Sequence, residues 1–226
     1  MVTRLSPLVI GAVLLVIGLA VLVASARTDA FDHAVIEAVR APEYHDALAF
    51  LGPLTHLGST GAVIVVAAIV AAVGVLIGPW RHGVIGAAVI GLASLGVELL
   101  KAVMARARPD ILDPLVIEHG FSFPSGHSTL SMTAYGILAV LVMRTRLPRG
   151  VRAAVVVALG TLVALIGLSR VWLGVHFPTD VLAGWTTGAL VVAAYAALTR
   201  GVSTAPAAAA VDADPGARRS DRPAPG

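Results

Sequence analysis

Long charge-free apolar runs alternate along the chain with short polar connections. Six runs stand out: Pro7 to Ala26, Leu57 to Trp80, Gly83 to Val97, Ser128 to Met143, Ala153 to Ser169 and Val181 to Thr199. A helix that crosses a bilayer needs about 20 mostly apolar residues, with a range of roughly 17–25. The third and fourth runs are short on that measure, but each continues into a polar segment, so six transmembrane helices are predicted. The first run also reads as a signal peptide, since Arg4 precedes it and Ala24-Ser25-Ala26 is an acceptable cleavage sequence. Its length exceeds the usual signal core of about 7–15 residues, which favours an uncleaved helix. Either choice places the next connection outside.

That connection, Thr28 to His56, carries its own periodicity. Phe31, Val35 and Val39 recur at four-residue spacing behind Asp29, a predicted N-cap, and Pro42 ends the pattern. Leu48, Leu51 and Leu54 mark a second short amphipathic piece. These pieces either brace the bundle from the membrane surface or frame a lateral entrance for lipid. The tail from Gly201 to Gly226 is Ala, Pro, Asp and Arg without periodicity, the composition of a disordered segment. The predicted architecture is all-α: a six-helix transmembrane bundle over residues 1–200 with short amphipathic helices in the first external loop, then a disordered cytoplasmic tail over 201–226.

Composition agrees with a membrane protein, at 58% hydrophobic and 13% charged residues. The absence of cysteine excludes disulfides, thiolate metal sites and cysteine nucleophiles. No basic block points to nucleic acid. Charge placement sets orientation. Arg4, Arg81, the group Arg144, Arg146, Arg149 and Arg152, and Arg200 fall on one side of six alternating helices, and that side should be cytoplasmic. The first loop, with Asp29, Asp32, Glu37, Glu43 and Asp46 against Arg27 and Arg40, falls on the other. The expected placement is a multi-pass plasma-membrane protein with both termini cytoplasmic and the connections after the third and fifth helices facing outward.

Polar residues concentrate in those two outward connections, where proximity to hydrocarbon makes charge costly and function its default explanation. Lys101, the only Lys among sixteen basic residues, and Arg108 stand seven apart, close to two helical turns, so both can point one way. They suit phosphoryl oxygens or serve as snorkelling anchors; Arg106, off their face, is read as an anchor. Pro124-Ser125-Gly126-His127 precedes an apolar helix, with Pro suited to a first helical position and amides free to meet an anion. His176 and Asp180 stand four apart around Pro178, so the carboxylate can hold the imidazole, and Arg170 ends an apolar run in need of an anion. Glu98, one turn before Lys101, reads as its ion-pair partner, and Glu118 and His119 as solvated. Together the set offers three cations, two histidines, a carboxylate and a helix N-terminus on one face. A phosphate-transfer site needs those parts, but spacing does not say which histidine attacks.

At these residues the chain resembles the type 2 phosphatidic acid phosphatase superfamily, which includes glucose-6-phosphatase and vanadium-dependent haloperoxidases. Lys101 through Pro109, Pro124 through His127, and Ser169 through Asp180 match the three parts of that family's pattern without departure. The resemblance implies that His176 is the nucleophile, Asp180 its partner and His127 the proton donor. It assigns Lys101, Arg108, Ser125, Gly126 and Arg170 to phosphate binding, with no metal or other cofactor. The implied function is an integral-membrane lipid phosphatase acting at the outer face, with undecaprenyl (polyprenyl) diphosphate as the leading substrate and phosphatidylglycerol phosphate or phosphatidic acid as alternatives. Halide oxidation is the second enzyme class, and a non-catalytic lipid-binding or transport protein of the same fold the third. Expected partners are the lipid phosphate and membrane lipids; oligomeric state is not legible.

Overall fold

The computed structural model describes residues 7–39, 45–77, 79–110 and 118–200. Pro42 and the tail from Gly201, on which two expectations rest, lie outside them, as does the side chain of Leu48. Among the described residues every regular element is helical: α1 (Pro7–Ala24), α2 (Asp29–Val39), α3 (His45–Thr55), α4 (Thr60–Ile77), α5 (Trp80–Met104), α6 (Gly126–Met143), α7 (Arg149–Trp172) and α8 (Pro178–Leu198), with a short 3-10 turn over His56–Gly58. Helices α5 to α8 are each long and apolar enough to cross a membrane. α1 and α4 join them when taken with the short helix beside each, α2 after a 91° bend and α3 with the 3-10 turn before a 56° bend.

Helices α5 to α8 run past their charge-free runs at one or both ends, because a helix does not stop where hydrocarbon does, whereas α1 and α4 end inside theirs. α5 has 25 residues, about 37 Å at 1.5 Å per residue, against a hydrocarbon core of about 30 Å. Its last turns therefore reach the interface and carry Glu98 and Lys101 there. Outward faces are apolar, as lipid contact requires: Leu92, Leu95 and Leu99 of α5 and Leu14 and Val21 of α1 are all more than 60% exposed.

α6 is the axis of the bundle, packed against α4, α5, α7 and α8. Its Leu130, Ala134, Ile137 and Leu141 share a core with Val66 and Val70 of α4, Ile90 and Val97 of α5, and Ile166 of α7. α8 approaches it most closely, because Gly184 and Gly188 present bare backbone. A Cβ on Gly184 would sit 2.8 Å from the Ser125 carbonyl oxygen, and one on Gly188 would sit 2.7 Å from that of Thr129. Such small-residue contacts drive helix association where no water needs to be expelled. Here they also bring the first turn of α8 against the first turn of α6, and the Ser125 amide donates to the Asp180 carbonyl at 3.1 Å.

The connection between α1 and α4 forms the two predicted helices, and α2 packs on α7 and α8 while α3 packs on α7. The buried face of α2 differs from the expected stripe. Phe31 is 59% exposed, whereas Asp32 and Ile36 are buried, with Val35 and Val39 packed beside them. Asp29 opens the helix as its first residue rather than standing before it as a cap. The stripe is rotated because Asp32 is drawn inward by an ion pair that spacing does not reveal.

Candidate active site

The three polar segments converge at one end of the bundle. Lys101 lies in the last turn of α5, its Nζ 3.1 Å from Glu98 Oε1, as expected of an (i, i+3) pair. A Cβ on Gly126 would lie 3.5 Å from that Nζ, so the ammonium stands beside the backbone that opens α6. The helical route from Lys101 to Arg108 does not exist, however. α5 ends at Met104, and Ala105 takes a left-handed φ of 46°, so Arg106 and Arg108 leave on a non-helical strand of chain. Ser122 pins that strand, its amide donating to the Arg106 carbonyl at 2.9 Å and its hydroxyl to the Ala107 carbonyl at 2.9 Å.

This path corrects the reading of Arg106 as an anchor. Its guanidinium turns inward, one nitrogen donating to Asp180 Oδ1 at 2.6 Å and the other to Asp32 Oδ2 at 2.8 Å. Arg108, two residues on, reaches the other end of the same group. Its Nη1 stands 3.2 Å from His176 Nε2 and donates to the Val175 carbonyl at 2.9 Å. Two arginines two residues apart on this non-helical segment thus bracket the Asp180–His176 pair. Burial resists ionisation of Arg106, but Asp180 and Asp32 outweigh it and hold the guanidinium above its ordinary pKa.

His176 and Asp180 meet as their spacing suggested. Pro178 starts α8, Asp180 is fully buried in its first turn, and Asp180 Oδ2 accepts from the Phe177 amide at 2.9 Å. His176 Nδ1 lies 3.5 Å from the same oxygen, within ion-pair range but not aligned for a hydrogen bond. With Arg108 donating toward Nε2, the arrangement favours the tautomer protonated on Nδ1. Burial is the main influence on the ring and pushes its pKa below the usual histidine value, against the pull of Asp180. Its Nε2 is therefore an unprotonated lone pair at neutral pH.

The first turn of α6 is built by Ser125, which follows a cis Phe123–Pro124 bond and caps the helix by accepting from the Ser128 amide. Pro124 thus precedes the cap instead of occupying the first helical position. His127, in that first turn, sits among the charges of Arg170, Glu118, His176 and Lys101. Arg170 is fully buried near the end of α7; its Nη1 donates to Thr55 Oγ1 at 2.7 Å and its Nη2 to the carboxylate of Glu118.

Glu118 is therefore not a solvated loop residue. One oxygen binds Arg170 and the other stands 3.5 Å from Arg108 Nη2. Burial opposes its ionisation, but Arg170 first, then His127 and Arg108, more than offset this and keep its carboxyl below the ordinary glutamate range. The two cations assigned to phosphate thus already share an anion. Sequence reasoning missed Glu118 because nothing local pairs it with Arg170, 52 positions away. Asp32 did leave a signal, since it falls on the helical face of Val35, Ile36 and Val39, where a carboxylate needs a partner.

Comparison with known proteins agrees with this geometry. Residues 82–202 match the model of the PAP2 superfamily. A phosphatidylglycerophosphatase B from Bacillus subtilis is 37% identical over 139 residues, covering 61% of this chain and 68% of that protein. An undecaprenyl-diphosphatase from Sulfolobus acidocaldarius is 33% identical over 96 residues, 40% of this chain and 42% of that protein. The crystal structure of a transmembrane PAP2-type phosphatidylglycerolphosphate phosphatase from Bacillus subtilis shares the fold with a TM-score of 0.79 at 29% identity, over 88% of this chain and 98% of that one. The match of the family model over more than half of the chain, and the three converging motifs within it, establish that this protein belongs to the PAP2 superfamily.

Proposed function

We propose that this protein is a lipid phosphatase that transfers a phosphoryl group to His176 and then to water. The observation that carries this reading is the shared anion: Arg108 and Arg170 hold one carboxylate while Arg108 also reaches His176 Nε2, and a phosphoryl group can take the place of that carboxylate between the two cations with more charge. In the first step Nε2 attacks phosphorus, the bond to the lipid oxygen breaks, and protonated His127 gives its proton to that oxygen. In the second, His127 takes a proton from water as the water oxygen attacks phosphorus and the P–N bond breaks. Asp180 holds Nδ1–H and balances the charge that develops on the ring. Lys101, Arg108, Arg170 and the first turn of α6, with Ser125 and Gly126, stabilise the equatorial oxygens.

The leading substrate is a polyprenyl diphosphate such as undecaprenyl diphosphate, for which the Sulfolobus relative lends support over its aligned segment. Phosphatidylglycerol phosphate is the second reading, favoured by the wider coverage of the Bacillus relative. Phosphate release from both lipids and from phosphatidic acid, measured side by side in detergent with chelator present, separates them. The highest kcat/KM is expected on the polyprenyl diphosphate. Release from none of the three would end the phosphatase reading.

Three further outcomes follow. Since the lone pair on Nε2 must be free while His127 must carry the proton it gives, kcat/KM should follow a bell in pH, its acid limb centred below the ordinary histidine value of about 6.5; an acid limb centred above that value would contradict the reading. Glu118→Gln should lower KM about tenfold with kcat nearly unchanged, because substrate no longer competes with a charge-assisted contact of about 1.5–3 kcal/mol. The site is proposed to face outward at the plasma membrane: a reporter after Arg146 should read cytoplasmic and one beside His119 external. The reverse pattern would move the chemistry to the inner leaflet.

A further inference from the structure

We infer that Asp32 and Arg106 are positioning residues that together fix the Asp180 carboxylate behind His176, Arg106 by orienting it and Asp32 by keeping Arg106 from quenching it. The inference rests on the reading of His176 as nucleophile.

Asp180 must keep one oxygen turned to the imidazole. Its Oδ2 accepts from the Phe177 amide and faces His176 Nδ1, while Oδ1 is bound by Arg106. Arg106 thereby removes the freedom of the carboxylate to rotate. Its contacts show that it is not a phosphate ligand. Nη1 donates to Asp180 and to Thr179 Oγ1 at 2.9 Å; Nη2 faces Asp32, Thr28 Oγ1 at 3.5 Å and Asp29 at 3.5 Å. The guanidinium also covers the Phe177 ring, 4.2 Å from its centroid. Its donors are committed on the side of Asp180 away from the nucleophile.

A lone guanidinium 2.6 Å from Asp180 would draw the carboxylate's charge away from the imidazolium that forms during attack. Asp32 counters this. It is fully buried, sits on the opposite edge of the guanidinium, and is tied to α8 by Thr179, whose amide donates to Oδ1 at 3.2 Å and whose hydroxyl donates to Oδ2 at 2.7 Å. The two buried carboxylates around the guanidinium leave about one negative charge, which Asp180 can present to His176, while Asp29 is half exposed at 3.5 Å and its charge is screened by solvent. Asp32 lies outside the family-matched segment of residues 82–202, so the outer helix α2 becomes part of the apparatus that holds the nucleophile. A lysine could not replace Arg106, because a single ammonium lacks the fork that spans both carboxylates.

The test measures kcat and KM with farnesyl diphosphate, and with dioctanoyl phosphatidic acid as second probe, for Asp32→Asn, Arg106→Gln, Arg106→Lys and the Asp32→Asn/Arg106→Gln double variant. By the scale of losses seen when groups supporting a site residue are removed, kcat should fall about 10-fold for Asp32→Asn and about 100-fold for Arg106→Gln, with KM little changed. Arg106→Lys should stay close to Arg106→Gln. The double variant should be no slower than Arg106→Gln alone, because Asp32 acts through Arg106. It also leaves neither charge of the pair unpartnered, so it carries the test if a single variant fails to fold, as melting curves in detergent would show. A folded double variant with wild-type kcat overturns the relay, as do losses confined to KM or losses that multiply. His176→Ala separates the two levels. If it retains turnover, the nucleophile assignment falls; if it is inactive while the double variant is unimpaired, the relay alone falls.

Discussion

Replacing His176 by alanine should reduce kcat by at least about 10⁴-fold on every lipid phosphate the protein hydrolyses. A phosphoryl acceptor has no substitute here. The imidazole is buried between Arg108 and Asp180, and its removal leaves no nucleophilic nitrogen between them. Binding should survive, because the cations proposed to hold the phosphoryl oxygens sit on three other segments. Lys101 is on α5, Arg108 on the strand that follows, and Arg170 on α7. The variant should therefore still compete for substrate when mixed with active enzyme. Turnover within about tenfold of wild type would remove His176 from the chemistry.

Replacing His127 by alanine should cost about 10²–10⁴-fold, and the size of the loss should depend on the leaving group. An alkoxide leaving a lipid is strongly basic and must be protonated as it departs, whereas nitrophenolate departs without help. The loss in kcat/KM, which reports the first step and not the hydrolysis common to all substrates, should accordingly be at least about tenfold larger on phosphatidic acid than on p-nitrophenyl phosphate, with a diphosphate between them, since its leaving group is itself a stabilised anion. Equal losses on all three would mean that His127 shapes the site without donating the proton. The position of His127 among Arg170, Glu118, Lys101 and His176 makes that comparison informative. Any role it has in binding would affect the three substrates alike.

How far the sequence foretold this arrangement depended on whether the relevant contact was local. His176 and Asp180 stand one turn apart, and the chain between them fixes their approach, so their pairing was legible. Ser125, Gly126 and His127 open a helix whose apolar continuation was plain. Lys101 and Glu98 pair along one helical face. Arg106 was misread because the helix was assumed to continue past Met104; after the left-handed turn at Ala105 both arginines reach the Asp180–His176 pair. Glu118 and Asp32 were missed for a different reason. Each owes its burial to a guanidinium 52 and 74 positions away, and no periodicity encodes such a pair. Span limits were underestimated wherever charge marks the interface. α7 begins at Arg149 and runs through Arg170, because both ends lie where an arginine can find water or a partner.

The asymmetry between the two outer arginines bears on how the site tolerates change. Arg108 offers donors to His176, to three backbone carbonyls and toward Glu118, so it can exchange the carboxylate for a phosphoryl oxygen without losing its place. Arg106 has no such freedom, since its shortest contacts are to the buried Asp180, Asp32 and Thr179 of this chain. On the proposed mechanism, Arg108 can therefore load and release an anion while Arg106 stays fixed behind Asp180.

The phosphoenzyme itself can be observed. Enzyme mixed with lipid labelled in its terminal phosphate and quenched within milliseconds should carry label on the protein that survives alkali, is lost in acid, and maps to the peptide containing His176. Label that is absent, that maps to another residue, or that persists in His176→Ala would contradict a phosphohistidine mechanism at this site.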